Sequence, residues 1–386
     1  MRIENGSLAA ALCALLTSLA AGCSSDASRG PNDAAAGSAG AAVVSAGAGG
    51  AVGASAGAAN VAGAASGGMA GAPGGGSAAT GGSGGATVVA GPKQRTVGYL
   101  PSYRGALSIW ATQLDFSLLS YIDVCFADVD DSGNITYPDA ALPAFATAAH
   151  AKGAKVCLAL GGAGTIGSLG ALAGQIAPAN RAAFVAKITT YAVNNGLDCI
   201  DVDFEGNGVN ADYEGFVTAL GASLKAQNKE MSAAVASWFG DKVTANALQA
   251  FDFVNVMAYD LHNPGGMTGP VQSSSLADAK AEVEYWIGRG LSKDKAVFGV
   301  PFYGYRWKPG ATTGEALVYA DLLSLYGADA QNDQITKDGA TVYLNSKATI
   351  QAKAQLARQY GGIMAWELGQ DAAGATSLLR AIHDAP

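Results

Sequence analysis

Eight apolar, β-rich runs alternating with helical patterns predict a (β/α)8 TIM barrel, and an abrupt change of composition near residue 91 confines it to the C-terminal part of the chain. A third observation points the same way. One of the eight runs, Asp198 to Glu205, carries four acids among apolar residues, which suits a strand whose inner face lines a barrel.

The chain opens with Arg2 ahead of an apolar run from Leu8 to Ala21. That run is shorter than the ~20 residues a spanning helix needs. Residues 1–23 therefore read as a signal peptide and are set aside from fold reasoning, a membrane-anchor helix being the alternative. The run closes on Leu19-Ala20-Ala21-Gly22-Cys23-Ser24, which resembles the lipobox of bacterial lipoproteins, with Ala20 where Leu is commoner. This resemblance implies lipidation at Cys23, export across the inner membrane and a lipid anchor at the outer membrane or cell surface. Ordinary cleavage nearby is the alternative. Residues 24–91 are almost entirely Gly, Ala and Ser. Such a segment cannot bury enough apolar surface to offset its conformational entropy. A disordered linker is expected, spanning on the order of 45 Å as a coil.

Residues 92–386 suit one large barrel or two smaller domains. The strand runs are Thr96–Leu100, Tyr121–Ala127, Lys155–Leu160, Cys199–Phe204, Met231–Ser237, Phe253–Tyr259, Ala296–Phe302 and Gly362–Trp366. Helical spacing fills the intervals. In Pro178 to Asn194, Phe184, Ile188 and Tyr191 share a face; Pro178 suits an early helical position and Gly196 the stop. Asn210 is placed to cap the next helix, with Tyr213, Phe216 and Leu220 on one side. The longest interval separates the seventh and eighth runs. There, Lys308 to Asn345 reads as a modest insertion ahead of a helix from Ser346 to Tyr360. The competing architecture is an open doubly wound sheet. The first strand run lacks a Gly-rich phosphate loop, which counts against the nucleotide-binding form of that sheet.

Acids outnumber Lys and Arg by 31 to 23, so no nucleic-acid partner is expected, and no membrane contact beyond the lipid anchor. Cys125, Cys157 and Cys199 each lie in a strand run. Their odd number and wide spacing predict buried free thiols, without a disulfide framework or zinc site. His150, His262 and His383 are scattered, and no metal or organic cofactor is expected. A monomer is expected.

In the acidic run, residues two apart share a face. Ile200, Val202 and Phe204 form the helix-facing side, and Asp201, Asp203 and Glu205 point into the barrel. Carboxylates this close cannot all ionise, so at least one pKa must rise. That keeps a carboxylic acid protonated near neutral pH for use as a general acid. Glu205 stands at the C-terminal end of its strand, where barrel enzymes carry their chemistry. A solvated acidic edge strand is the alternative, but a barrel strand has no solvated inner face. Asp198 has the opposite parity and reads as structural.

The series Asp198-x-x-Asp201-x-Asp203-x-Glu205 resembles the fourth-strand signature of glycoside hydrolase family 18, the chitinases and endo-β-N-acetylglucosaminidases. Further landmarks follow in order: Leu160-Gly161-Gly162, Met257-Ala258-Tyr259-Asp260, Gly299-Val300-Pro301-Phe302-Tyr303-Gly304 and Gly362-Ile363-Met364-Ala365-Trp366-Glu367. The resemblance runs from Thr96 to the C-terminus. It implies substrate-assisted hydrolysis, with Glu205 as proton donor, Asp203 bonded to the substrate acetamido N–H, Asp201 sharing a proton with Asp203, and Tyr259 orienting the acetamido group. The substrate would be a polysaccharide or oligosaccharide containing N-acetylglucosamine. Trp366 would form the floor under the distorted sugar; Asp260, Met257, Tyr99, Phe126, Tyr303 and Arg306 are candidate sugar contacts, with Trp307 at a comparable strand end. Two departures stand out. Ala159 replaces the Ser whose hydroxyl usually bonds the acid at Asp201, and Cys199 replaces a usual Gly. An endo-acting chitinase is the leading expectation. The alternatives are an enzyme acting on N-glycan chitobiose cores and a chitin-binding lectin without catalysis.

Overall fold

A computed structural model describes residues 94–167 and 169–386. The expectations for the signal peptide, for Cys23 and for the linker fall outside the described residues. Alternation along the strands sorts the apolar residues into two sets. Ile122, Val124, Leu158, Leu160, Ile200, Val202 and Phe204 join the large cluster shared with the helices. Cys125, Cys157, Ala159, Cys199, Phe253 and Met364 form a second cluster with Tyr99 and Tyr259. The second set is the interior of a closed sheet.

The barrel strands are β1 (Arg95–Pro101), β2 (Tyr121–Val129), β3 (Lys155–Gly162), β4 (Cys199–Phe204), β5 (Glu230–Val235), β6 (Phe253–Val256), β7 (Ala296–Pro301) and β8 (Gly362–Trp366). Each pairs in parallel with its neighbours, and β1 pairs with both β2 and β8, which closes the ring. A helix follows every strand, including Pro178–Asn194 after β3, Tyr213–Ala226 after β4 and Lys347–Ala357 after the β7 insertion. The fold is therefore the (β/α)8 barrel. Its strand ends differ from the sequence reading mainly at β5 and β6, which stop at Val235 and Val256 before the chain turns outward.

The acidic strand is held from outside by a run of rings. Phe204 stacks on Phe216 with centroids 5.7 Å apart, and Phe216 stacks on Phe184 at the same distance. This couples β4 to the helices on either side of it. Removing a buried ring of this kind costs about 3–5 kcal/mol. Asp198 lies outside the inner acid series. It accepts from the Val156 N–H at 2.8 Å and contacts His150 Nε2 at 2.7 Å, tying the start of β4 to β3. Asn210 does not cap the following helix; its side chain accepts from the N–H of Asp212, the N-cap residue, at 2.8 Å.

Two further expectations are corrected. The insertion begins at Tyr303, not at Lys308. Tyr303–Trp307 is a strand in a four-stranded antiparallel sheet with Glu315–Val318, Ala340–Leu344 and Gln334–Lys337. Tyr305 and Trp307 alternate with Gly304 and Arg306, a period of two that marks the strand. The second correction concerns the thiols. Cys157 and Cys199 are bonded as a disulfide, and only Cys125 is free among the described residues. They are in-register neighbours on β3 and β4, with Cα atoms 4.5 Å apart. Their separation of 42 positions hides this adjacency from any reading of spacing along the chain.

On a chain-entropy basis, closing that loop stabilises the fold by about 4 kcal/mol. Alkylation of the denatured, unreduced protein should label Cys125 alone among the described cysteines, and Cys157 and Cys199 only after reductant. Equal labelling of all three before reduction, read by peptide mass spectrometry, would contradict the pairing.

Candidate active site

The interior acids sit in rows set by strand register. Asp201 pairs across β4 with Ala159 on β3 and Ser232 on β5. Ala159 offers no hydroxyl, but Ser232 does, donating to Asp201 Oδ1 at 2.6 Å. The Tyr99 hydroxyl donates across the barrel to Asp201 Oδ2 at 2.8 Å, and Asn255 Nδ2 lies 3.5 Å from Oδ1. The support expected to be lost with Ala159 is thus supplied from the opposite neighbour strand. Burial pushes the Asp201 carboxyl up, these donors pull it back, and it comes to rest at about 6.

Asp203 has no such donors. It is buried, and its Oδ1 has no hydrogen-bond partner among the described residues. Burial first, then the charges of Glu205, Asp201 and Asp123, hold its pKa well above the usual carboxylate range. Glu205 is raised to about 7 by burial and by the neighbouring charge of Asp260. Its backbone is fixed by Thr165, whose hydroxyl accepts from the Glu205 N–H at 2.8 Å and donates to the Gly162 carbonyl at 2.8 Å. The close approach of β3 to β4 requires glycine: a Cβ on Gly161 would lie 2.3 Å from the Asp203 carbonyl oxygen.

The other candidates divide into two groups. Trp366, half-buried at the end of β8, packs on Tyr99 (centroids 5.3 Å apart) and Phe126 (6.1 Å). Tyr99 is almost wholly buried, and its hydroxyl is spent on Asp201. The Tyr259 hydroxyl has only the Met364 thioether, at 4.0 Å, as partner among the described residues. Met257 is half-buried just beyond β6. Asp260 accepts from Tyr303 at 2.7 Å and Tyr305 at 2.9 Å. Arg306 stands apart, because strand alternation turns it away from Tyr305 and into an ion pair with Glu315 at 2.9 Å. Trp307 is buried in the insertion sheet, edge-on to Tyr343.

Four interior residues escaped the sequence reading: Asp123, Ser232, Asn255 and Tyr305. Asn255 Nδ2 donates to Tyr99 at 3.1 Å and to Asp123 Oδ2 at 3.2 Å, linking β1, β2 and β6. Asp123 is wholly buried and its pKa is raised by burial and by Asp201. Inward parity on β2, β5 and β6 was the available signal. Asp123, Cys157 and Cys199 could group as metal ligands among the described residues, but the two sulfurs are bonded to each other.

A family model described as glycosyl hydrolases family 18 matches residues 95–371. The chain belongs to this family. A family 18 chitinase, ChiB of Flavobacterium johnsoniae, is 32% identical, with a TM-score of 0.68 over 76% of this chain and 93% of that one. A class V chitinase of Arabidopsis thaliana is 27% identical over 67% of this chain and 82% of its own length. A chitinase-like effector of Moniliophthora roreri is 28% identical over 54% of this chain and spans 57% of that protein. The fold also occurs in a chitinase-like agglutinin of Robinia pseudoacacia, 22% identical with a TM-score of 0.64 over 75% of this chain and 98% of that one. Family membership therefore leaves catalysis to be argued from the site.

The pKa pattern predicts a bell-shaped kcat/KM on a chitooligosaccharide. If Glu205 is the proton donor that the family resemblance implies, activity should fall as pH rises through about 7, where its carboxyl loses the proton. Asp260→Asn removes a charge that favours the protonated form, and should move this limb to lower pH. Ser232→Ala removes a donor to the Asp201 carboxylate, and should move the acid limb, near 6, to higher pH. Limbs unmoved in both variants would refute these assignments.

Proposed function

We propose that the protein is an endo-acting, retaining glycosidase that hydrolyses β-1,4 bonds of N-acetylglucosamine polymers, chitin or chitooligosaccharides, by substrate-assisted catalysis. The observation that carries this reading is Asp203. A buried carboxyl oxygen without a partner is costly, and one beside a protonated acid calls for a donor from outside the protein. The N–H of a 2-acetamido group is such a donor.

The steps are those of the family scheme, and the geometry is consistent with each residue's part in them. Glu205, protonated, gives its proton to the glycosidic oxygen. The acetamido oxygen attacks the anomeric carbon, while Asp203 holds the N–H and offsets the positive charge developing on the ring. The Tyr259 hydroxyl, lacking a strong partner, orients the acetamido group, and Trp366 lies beneath the sugar. Asp201, held as the anion by Tyr99 and Ser232, takes up part of the Asp203 proton. Water then opens the oxazolinium, with Glu205 as base, and configuration is retained.

The same site chemistry suits the chitobiose core of N-glycans. Chitin is favoured by the chitinases among the relatives. The agglutinin fold keeps a non-catalytic role in view; catalysis is favoured by the buried Glu205 carboxyl at the end of β4, pushed toward its protonated form by burial and by Asp260. Export with a lipid anchor at Cys23 is part of the proposal. The export, as distinct from the anchor, is supported by the Cys157–Cys199 disulfide, since such bonds persist in oxidising compartments.

Glu205→Gln should lower the release of a fluorogenic chitobioside by about 10²- to 10⁴-fold while oligosaccharide binding persists. Unchanged release would sink the mechanism. Product analysis by mass spectrometry should show shortened oligomers from colloidal chitin and an intact high-mannose glycoprotein; the reverse would shift the assignment to N-glycans.

A further inference from the structure

Lys353 is a buried cation that the chemistry above does not use. It lies on the helix Lys347–Ala357 and is wholly buried. Burying a charge is costly unless it is paired. Here the acceptors of the ammonium are all neutral: the Ser274 carbonyl at 2.7 Å, the Ser274 hydroxyl at 2.7 Å and Asn345 Oδ1 at 2.6 Å. Burial pushes the group down to about 7, while the charges of Asp333 and Asp278 hold it up.

These contacts have a direction. An ammonium has N–H donors and no acceptor. The Ser274 hydroxyl must therefore accept from Lys353 and send its own proton elsewhere. It donates to the Ala258 carbonyl at 2.6 Å. That carbonyl belongs to the peptide bond joining Ala258 to Tyr259. β6 stops at Val256, so ladder pairing does not hold this peptide. The Tyr259 hydroxyl, with only the Met364 thioether at 4.0 Å, gives no firm hold at the far end of the ring. The ring is aimed from its backbone.

Ser274 is itself clamped. Asn345 Nδ2 donates to its carbonyl at 2.9 Å, and its N–H donates to Gln272 Oε1 at 3.2 Å. Gln272 Nε2 in turn donates to the Leu344 carbonyl at 2.9 Å. The Leu261 N–H donates to the Ser273 carbonyl at 2.9 Å, closing the segment after β6 on itself. Lys353 thus joins an outer helix, the end of the inserted sheet and the segment that carries Tyr259.

We propose that Lys353 is a positioning residue for Tyr259, acting through Ser274 to fix the peptide between Ala258 and Tyr259. The assignment rests on the glycosidase reading, in which Tyr259 orients the acetamido group, and it adds a control on that step from outside the cleft.

The test measures kcat and KM for a fluorogenic chitobioside in Ser274→Ala, Lys353→Met and Tyr259→Phe, alone and combined. Misorientation raises the barrier without loosening ground-state binding. Ser274→Ala and Lys353→Met should each lower kcat about tenfold and leave KM within about twofold. In the Tyr259→Phe background each should cost at most about a further twofold, because the hydroxyl they aim has gone. Ser274→Ala deletes a single hydroxyl and carries the test alone if Lys353→Met does not fold. Losses that multiply with that of Tyr259→Phe would make the network a general support of the fold and overturn the proposal. So would an unchanged kcat in Ser274→Ala, or in Tyr259→Phe itself. A wild type that cleaves neither the chitobioside nor chitohexaose would instead overturn the glycosidase reading, and this assignment with it.

Discussion

Four carboxyl groups, on Asp123, Asp201, Asp203 and Glu205, are buried at one end of a closed barrel, and no Lys, Arg or His side chain hydrogen-bonds to any of them among the described residues. The rest of the site follows from that constraint. Neutralisation by a cation is replaced by dipoles and protons. Asp201 collects the hydroxyls of Tyr99 and Ser232 and an amide N–H, which makes it the place where negative charge can rest. The others are pushed toward their protonated forms, each chiefly by burial. Coupled sites of this kind titrate as a set. The depth of the acids and the donors around them therefore decide which is held protonated and which can carry the charge.

The outer structure serves the same end by fixing distances. The Phe204–Phe216–Phe184 stack holds β4 from outside, and the Cys157–Cys199 bond ties it to β3 from inside. Thr165 fixes the backbone at Glu205 itself. These contacts limit how far the acids can move apart to relieve their repulsion. The raised pKa values are thus maintained by packing as well as by low polarity.

What the sequence disclosed, and what it hid, divides along one physical line. Alternation within a strand is local, so the inward set Asp201, Asp203 and Glu205 was readable from β4 alone. Partnership between strands is set by register around the whole ring, and no single stretch of chain contains it. That is why Ser232 and Asn255 were missed, why Ala159 was taken for a deficit, and why three cysteines were read as separate thiols. The eight-strand plan was legible because each unit repeats the same local pattern. The start of the insertion was not, because Tyr303 to Trp307 continues directly from a barrel strand. The partner of Arg306 was hidden for the same reason: once that segment is a strand, alternation turns it toward Glu315.

Tyr303 and Tyr305 belong to the inserted sheet, yet both hydroxyls bind Asp260, the residue whose charge helps to raise Glu205. Barrel enzymes diversify by exchanging the loops above their strands, which assumes that such segments are interchangeable modules. Here the module boundary runs through the contacts that set the acidity of a barrel carboxyl. A chimera that kept all the barrel acids but carried a foreign insertion would have a Glu205 of different acidity, because part of the circuit that sets it would have left with the exchanged piece. In this chain, recombination at that loop is therefore an electrostatic event as well as a change in the shape of the cleft.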